Sequence, residues 1–74
     1  MADLVTYNFT QTTPETSWTI NHNLGTLFVN IDVVVDHGVV EKILPGNIEI
    51  IDNNNVKVFF SVPRYGYARV VGSV

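Results

Sequence analysis

Apolar and polar residues alternate along most of this chain with the two-residue period of β-strands. The alternation is clearest in residues 4–9, 28–35 and 56–62. No apolar stripe with helical spacing extends over ten residues, so the pattern does not favour an α-helix. Short segments rich in Gly, Pro, Asn and Asp separate the alternating stretches, and these residue types favour turns. The pattern therefore predicts an all-β protein.

The turn signals divide the chain into about seven short strands, which we expect to form a small antiparallel β-sandwich. The predicted strands span residues 4–9, 17–21, 28–35, 39–44, 48–51, 56–62 and 67–71. We expect a polar loop from Gln11 to Pro14 and a turn at Pro63-Arg64-Tyr65-Gly66. Asp52-Asn53-Asn54-Asn55 is the strongest turn signal, because Asp and Asn hydrogen-bond their own main chain. Residues 1–74 are expected to form a single domain.

One side of the predicted strands supplies the expected core: Tyr7, Trp18, Ile20, Val29, Ile31, Val33, Ile48, Ile50, Val56, Val58 and Phe60. The opposite side also carries apolar residues: Leu4, Phe28, Val34, Ile51, Phe59 and Val70. Soluble monomers rarely expose large contiguous apolar patches. Two interpretations stay open. These outward residues form an interface with other copies or a partner, or the strand registers differ and one protomer buries parts of both faces.

The small size of the chain bears on this choice. A domain of 74 residues buries only about 60% of the surface that its unfolded chain exposes. The sequence contains no cysteine, so disulfides and cysteine-based zinc sites cannot stabilise it. It is nevertheless 46% hydrophobic and only 15% charged. Burial of apolar surface against another subunit is the remaining way to stabilise such a domain.

Charge and terminal sequence exclude several partners. The net charge is −3, and the basic residues Lys42, Lys57, Arg64 and Arg69 are scattered, whereas nucleic-acid binding needs a basic surface. The longest apolar runs fall far short of the roughly 20 residues that span a bilayer. The N-terminus lacks the features of a signal peptide. We therefore expect neither a nucleic-acid nor a membrane partner, and Met1 favours a whole gene product.

Chemical motifs are scarce. No serine lies in a nucleophile elbow, and no acid–base pair or metal cluster is evident, so we expect no catalytic residue, cofactor or metal. Asp52-Asn53-Asn54-Asn55 has only one charge and is better explained as a turn than as a calcium site. The best candidates for ligand contact are Arg64, Tyr65 and Tyr67, together with Arg69, since Arg and Tyr are enriched at binding hot spots. Alternatively, Tyr65 and Tyr67 are ordinary turn and strand residues.

The order of several short segments resembles a small β module of tailed bacteriophages. The resemblance covers about residues 16–70 and rests on Trp18-Thr19-Ile20-Asn21-His22-Asn23-Leu24-Gly25, Asp36-His37-Gly38, Pro45, Asp52-Asn53-Asn54-Asn55-Val56, Phe60-Ser61-Val62-Pro63 and Tyr65-Gly66-Tyr67-Ala68. In that family the module recurs in tail-fibre, baseplate and other virion proteins. The resemblance implies no catalytic residues.

The resemblance, together with the apolar outward residues, predicts a non-enzymatic virion structural protein. We expect it to self-associate, with a trimer favoured, and to decorate the phage capsid or to form part of the tail or fibre. It would be assembled in the cytoplasm of the bacterial host. The alternative is a receptor- or glycan-binding module of a tail-fibre tip, with Arg64, Tyr65 and Tyr67 as the main contacts and His22 as a further candidate.

Overall fold

A computed structural model describes residues 3–73 of the chain. These residues form five strands: β1 (Leu4–Asn21), β2 (Val29–Asp36), β3 (Val40–Ile43), β4 (Asn47–Asp52) and β5 (Asn55–Ser73). All pairings are antiparallel and belong to one sheet, in the order β1-β5-β2-β3, with β4 paired to β5. The described part of the chain contains no helix that is long and apolar enough to cross a membrane. The all-β, antiparallel prediction is confirmed.

The long strand β5 lies at the centre of the sheet and divides it into two halves. In the large half, residues 66–73 of β5 pair with residues 4–11 of β1 on one side and with β2 on the other, and β3 extends the sheet beyond β2. In the small half, residues 55–59 of β5 lie between residues 17–21 of β1 and strand β4. β1 is an edge strand throughout, because β5 is its one partner within residues 3–73.

The two long strands bend where the halves meet. A straight strand of 18 residues would be about 60 Å long at about 3.3 Å per residue, whereas the longest dimension of the molecule is 40 Å. The pairing of β1 with β5 shifts register between Gln11 and Ser17. Such irregularities bend strands and increase their twist.

The expected number of strands is therefore too high. The first two predicted strands are the two halves of β1, and the last two are the two halves of β5. Pro14 and Pro63 do not interrupt these strands, because neither residue has a cross-strand partner in the irregular region. A proline without a ladder hydrogen bond to lose is tolerated within a strand. The predictions of a loop from Gln11 to Pro14 and of a turn at Pro63–Gly66 are therefore wrong. The first segment lies within β1 and the second within β5.

One buried cluster joins the two halves. Its members are Trp18, Ile20, Val33, Val35, Val56, Val58, Ala68 and Val70. The Trp18 ring lies 4.7 Å from the Phe60 ring and 6.1 Å from the Phe9 ring, measured between centroids. The indole Nε1 donates a hydrogen bond to the Arg64 carbonyl oxygen at 3.0 Å. A buried tryptophan thus satisfies its one polar atom at the bend.

Three apolar residues lie differently from their predicted positions. Val70 is fully buried, so its assignment to the outward side is wrong. The predicted last strand has apolar residues on both sides, and its alternation does not reveal which side faces the core. Ile48 and Ile50 were expected in the core but are 38% and 42% exposed. They face inward on β4, a short edge strand whose one partner among the described residues is β5.

The segment between β1 and β2 folds against the turn between β4 and β5. The Asn54 carbonyl oxygen accepts hydrogen bonds from the backbone N–H groups of His22, at 2.9 Å, and Asn23, at 3.2 Å. The Thr26 N–H donates to the Asn53 carbonyl oxygen at 2.9 Å. The turn itself lies where the sequence predicts it, since Asp52 pairs with Asn55 across it.

Candidate functional site

The outer face of the large half, opposite the buried cluster, carries polar and charged side chains in two neighbouring rows. In the first row Asn8 of β1, Arg69 of β5 and Asp32 of β2 lie directly opposite one another. In the second row Thr10, Tyr67, Val34 and Lys42 follow from β1 to β3. Because residues opposite one another share a sheet face, four strands contribute side chains to this one surface.

These rows line a groove of about 470 Å³, within the size range of small-molecule sites. Two contacts organise its charged groups. The Lys42 Nζ lies 3.1 Å from the Asp32 Oδ1, and the Arg69 Nε donates a hydrogen bond to the Asn8 Oδ1 at 3.3 Å. We call this surface the outer groove.

The predicted ligand residues Arg64, Tyr65 and Tyr67 lie in different places in the structure. Tyr67 lines the outer groove. Tyr65 lines a smaller neighbouring depression of about 210 Å³, which Tyr67 also borders. Arg64 lines neither depression, and its backbone carbonyl binds Trp18.

Arg69, which the sequence already indicates as a binding residue beside Tyr67, lines the outer groove, whereas Asn8, Asp32 and Lys42 were not predicted as groove residues. Arg69 follows Tyr67 by two positions on one strand, which places both side chains on the same face. That spacing was visible in the sequence. The other three residues come from β1, β2 and β3, and local spacing contains no information on how these strands pair.

Two of the predicted interface residues are among the most exposed apolar side chains of the protein. Leu4 is 75% exposed and Phe28 is 78% exposed. Leu4 lies opposite Ser73 in the sheet, and the Ser73 N–H donates to the Phe28 carbonyl oxygen at 3.1 Å. Leu4 and Phe28 therefore lie on either side of Ser73, at one end of the large half. The half-exposed Leu27 precedes Phe28 in the chain. We call Leu4, Leu27 and Phe28 the strand-end patch.

The other predicted interface residues have different environments. Ile51 is exposed on β4, far along the chain from the strand-end patch. Val34 is half-buried in the wall of the outer groove. The half-buried Phe59 has the Lys57 Nζ 5.6 Å from its ring centroid. Val70 is buried in the core and is not available to a partner.

Several further exposed apolar residues were not predicted as interface residues. They are Val39, Val40, Leu44 and Val62. Leu44 is 91% exposed immediately after β3, because the chain leaves the sheet at this point. The exposed apolar surface is thus larger than the sequence indicated.

The two histidines do not contribute to the outer groove. His22 is buried and its Nδ1 accepts a hydrogen bond from the Leu24 N–H at 3.0 Å, so it holds the loop that follows β1. Burial lowers the pKa of His22, and the nearby Asp52 carboxylate acts in the opposite direction. His37 lies 3.4 Å from Glu41 in the hairpin between β2 and β3. Across residues 3–73 no group of three or more metal-ligating side chains is close enough to hold an ion.

Comparison of the chain with protein-family models, with curated proteins and with solved structures finds no match. The resemblance of residues 16–70 to phage virion modules therefore stays a prediction.

Proposed function

We propose that this protein is a non-enzymatic structural protein that works by self-association. The observation that supports this proposal is the strand-end patch, where Leu4 and Phe28 remain largely exposed in the isolated protomer. The eight buried residues of the core show that the protomer already has an interior. The exposed side chains are therefore additional to that core and are suited to contact a second copy.

The energetics favour association. Full burial of a leucine or phenylalanine side chain is worth about 1.5–3 kcal/mol, and the total stability of a domain this small is of the order of 5 kcal/mol. Contacts among the strand-end patches of neighbouring copies would thus add free energy comparable to a large share of the folding stability. Apolar patches of this kind are typical of protein–protein contacts.

The biological setting that we propose is a phage virion, with this chain decorating the capsid or forming part of the tail or fibre. The resemblance of residues 16–70 supports this setting. The single bent sheet, whose halves share one buried cluster, would serve there as a compact sandwich-like unit. A homotrimer is the favoured assembly, with a capsid or tail protein as the further partner and the host cytoplasm as the place of assembly.

Light scattering after size-exclusion chromatography tests the self-association. The protomer mass is 8.3 kDa, and we expect an assembled species near three times that mass. Leu4→Ser and Phe28→Ser should each weaken association by about tenfold or more, since each removes an apolar side chain that the proposed assembly would bury.

Val62→Ser is the matched control. Val62 is also exposed but lies at the bend, away from the strand-end patch, so its substitution should leave the assembled mass unchanged. A wild-type protein that remains an 8.3 kDa monomer at all concentrations would contradict the proposal.

A second candidate function is glycan or receptor binding at the outer groove. The observation that favours it is the position of Tyr67, whose exposed ring lies beside the hydrogen-bonding groups of Asn8, Asp32 and Arg69. Binding sites for small ligands combine an apolar surface with a few placed polar groups. A glycan array probed with the wild type and with Tyr67→Ala tests this function. We expect the wild-type protein to bind a glycan and Tyr67→Ala to lose that binding.

A further inference from the structure

We infer that the outer groove binds an acidic sugar, with Arg69 holding the carboxylate and Tyr67 contacting an apolar face of the sugar ring. This inference rests on the second proposed function, glycan binding. It adds the chemical class of the ligand and assigns a role to each contact.

The charge of the groove favours an anion. Lys42 and Arg69 contribute two positive charges and Asp32 contributes one negative charge, whereas the whole protein has a net charge of −3. The groove is thus a locally positive region on a negative protein. A negatively charged ligand would be attracted to this region by its positive local potential.

Arg69 is the cation that remains available to a ligand. Asp32 lies directly opposite Arg69 in the sheet, yet its carboxylate lies 3.1 Å from Lys42. Arg69 makes no ion pair within residues 3–73. Its Nε donates to the neutral Asn8 amide, which orients the guanidinium while leaving its terminal nitrogens as donors. A guanidinium binds a carboxylate through two parallel hydrogen bonds, and so recognises that group specifically.

The neighbouring row supplies the other features of a sugar site. Tyr67 follows Arg69 by two positions on β5 and lies on the same face. Its exposed ring can cover the C–H face of a pyranose. The Asn8 amide, the Thr10 hydroxyl and the Asp32 carboxylate line the same groove and offer donors and acceptors for hydroxyl groups. A carboxylate, an apolar face and several hydroxyls occur together in an acidic sugar.

The position of the groove argues against an extended peptide as the ligand. The groove lies where β5 is paired with β1 on one side and with β2 on the other, so the β5 backbone groups already form ladder hydrogen bonds. Peptides that add to a sheet bind its unpaired edge through their main chain. Side chains alone would recognise a ligand in the outer groove.

Nuclear magnetic resonance titration of the ¹⁵N-labelled protein tests the inference. The three probes are a galacturonic acid trisaccharide, the neutral galactose trisaccharide and sodium acetate. We expect the acidic trisaccharide to shift the amide signals of Asn8, Asp32, Tyr67 and Arg69, and to bind at least fivefold more tightly than either other probe. Added salt should weaken this binding, because part of it is electrostatic.

Two matched substitutions separate the charge of the groove from the total charge of the protein. Arg69→Gln removes the guanidinium and should weaken binding of the acidic trisaccharide by about tenfold or more. Arg64→Gln makes the same chemical change outside the groove and should leave the affinity unchanged. Tyr67→Leu should weaken binding of both trisaccharides.

The outcomes distinguish this inference from the function on which it rests. Equal affinities for the two trisaccharides, with no effect of Arg69→Gln, would overturn acidic specificity while leaving glycan binding supported. Acetate binding as tight as that of the acidic trisaccharide would show a simple anion site. If no probe shifts a groove signal, both the inference and the glycan-binding function fail.

Discussion

The two faces of the large half differ sharply at its centre, although the same strands form both. Phe9, Ala68 and Val33 lie opposite one another on the inner face, while Asn8, Arg69 and Asp32 do so on the outer face. Each residue of one row is the chain neighbour of a residue in the other. Because side chains alternate with a period of two, a shift of one residue moves a side chain from core to surface. The pairing register alone therefore decides which side chains lie in the interior and which line the candidate binding site.

The largest expected effect comes from truncating Trp18, a member of the buried cluster that joins the two halves. Trp18→Ala should destabilise the protein by about 3–5 kcal/mol, since it creates a cavity and removes contacts with Phe9 and Phe60. Most molecules of this variant should then be unfolded, because a domain of this size has little stability to lose. Urea denaturation followed by circular dichroism measures the change.

The outward neighbour Thr19 provides the control for this prediction. Thr19 is exposed on the same strand, and Thr19→Ala should change stability by about 0.5 kcal/mol or less. Similar losses for the two substitutions would show that the faces are not as different as the structure indicates.

Gly66→Ala should have the next largest effect. A Cβ at this position would collide with the backbone of Val34 and Val35 on the adjacent strand. Overpacking typically costs about 1–3 kcal/mol, and we expect about 3 kcal/mol because backbone, rather than a flexible side chain, would have to move. Thermal unfolding measures this loss.

Gly46→Ala is the matched glycine substitution. Its Cβ would make only an ordinary contact, 3.5 Å from the Phe59 carbonyl oxygen, so the melting temperature should change little. A Gly66→Ala protein as stable as wild type would disprove the close approach of β5 to β2.

Substitutions of two neighbouring residues on β5 compare the inner and outer faces directly. Val70→Ala should cost about 1.5–3 kcal/mol, because Val70 is fully buried. Arg69→Ala should cost about 0.5 kcal/mol or less, because Arg69 is exposed. If Arg69→Ala lowered the urea midpoint more than Val70→Ala, the inner and outer faces of β5 would have to be exchanged.

The smallest expected effect is a dependence of stability on pH. Burial places the pKa of His22 below its usual value, so the unfolded chain takes up a proton at a higher pH than the folded protein does. The stability associated with neutral His22 is therefore fully present above about pH 6.5 and is lost as the pH falls from there towards the folded-state pKa. Urea midpoints measured between about pH 8 and pH 5 should decrease with acidity.

Substitution of each histidine identifies the group responsible. His22→Asn retains a side-chain acceptor for the Leu24 N–H but removes the titration, so its midpoint should not fall over this range. His37→Asn should keep the wild-type decrease, because His37 is exposed in a hairpin. A decrease that persists in His22→Asn would assign the effect to another group.

Much of the fold was predictable because the signals involved are local. Alternation identified the strands and most of the core, including Trp18, Val56 and Val58. The Asp52–Asn55 turn also lies where its residue types indicate. The errors in strand number share one cause: Pro14 and Pro63 suggest breaks, but the irregular pairing of β1 with β5 leaves both residues without a ladder partner.

The candidate sites were less predictable. Tyr67 was identified as a ligand residue, whereas its groove neighbours Asn8, Asp32 and Lys42 were not, because they are distant from it in the chain. The exposure of Leu4 and Phe28 agrees with their outward assignment, while Val70 shows that alternation fails in a strand with apolar residues on both sides.

The strand character of this protein follows from its sequence, because the two-residue period is a property of neighbouring residues. The sequence also sets the composition on which the proposed assembly depends. The folded protein, in contrast, was needed to show that two long strands bend into a single sheet and that Asn8, Asp32 and Arg69 meet in one row. Pairing register depends on which distant segments of the chain come together around β5, and no local pattern specifies it.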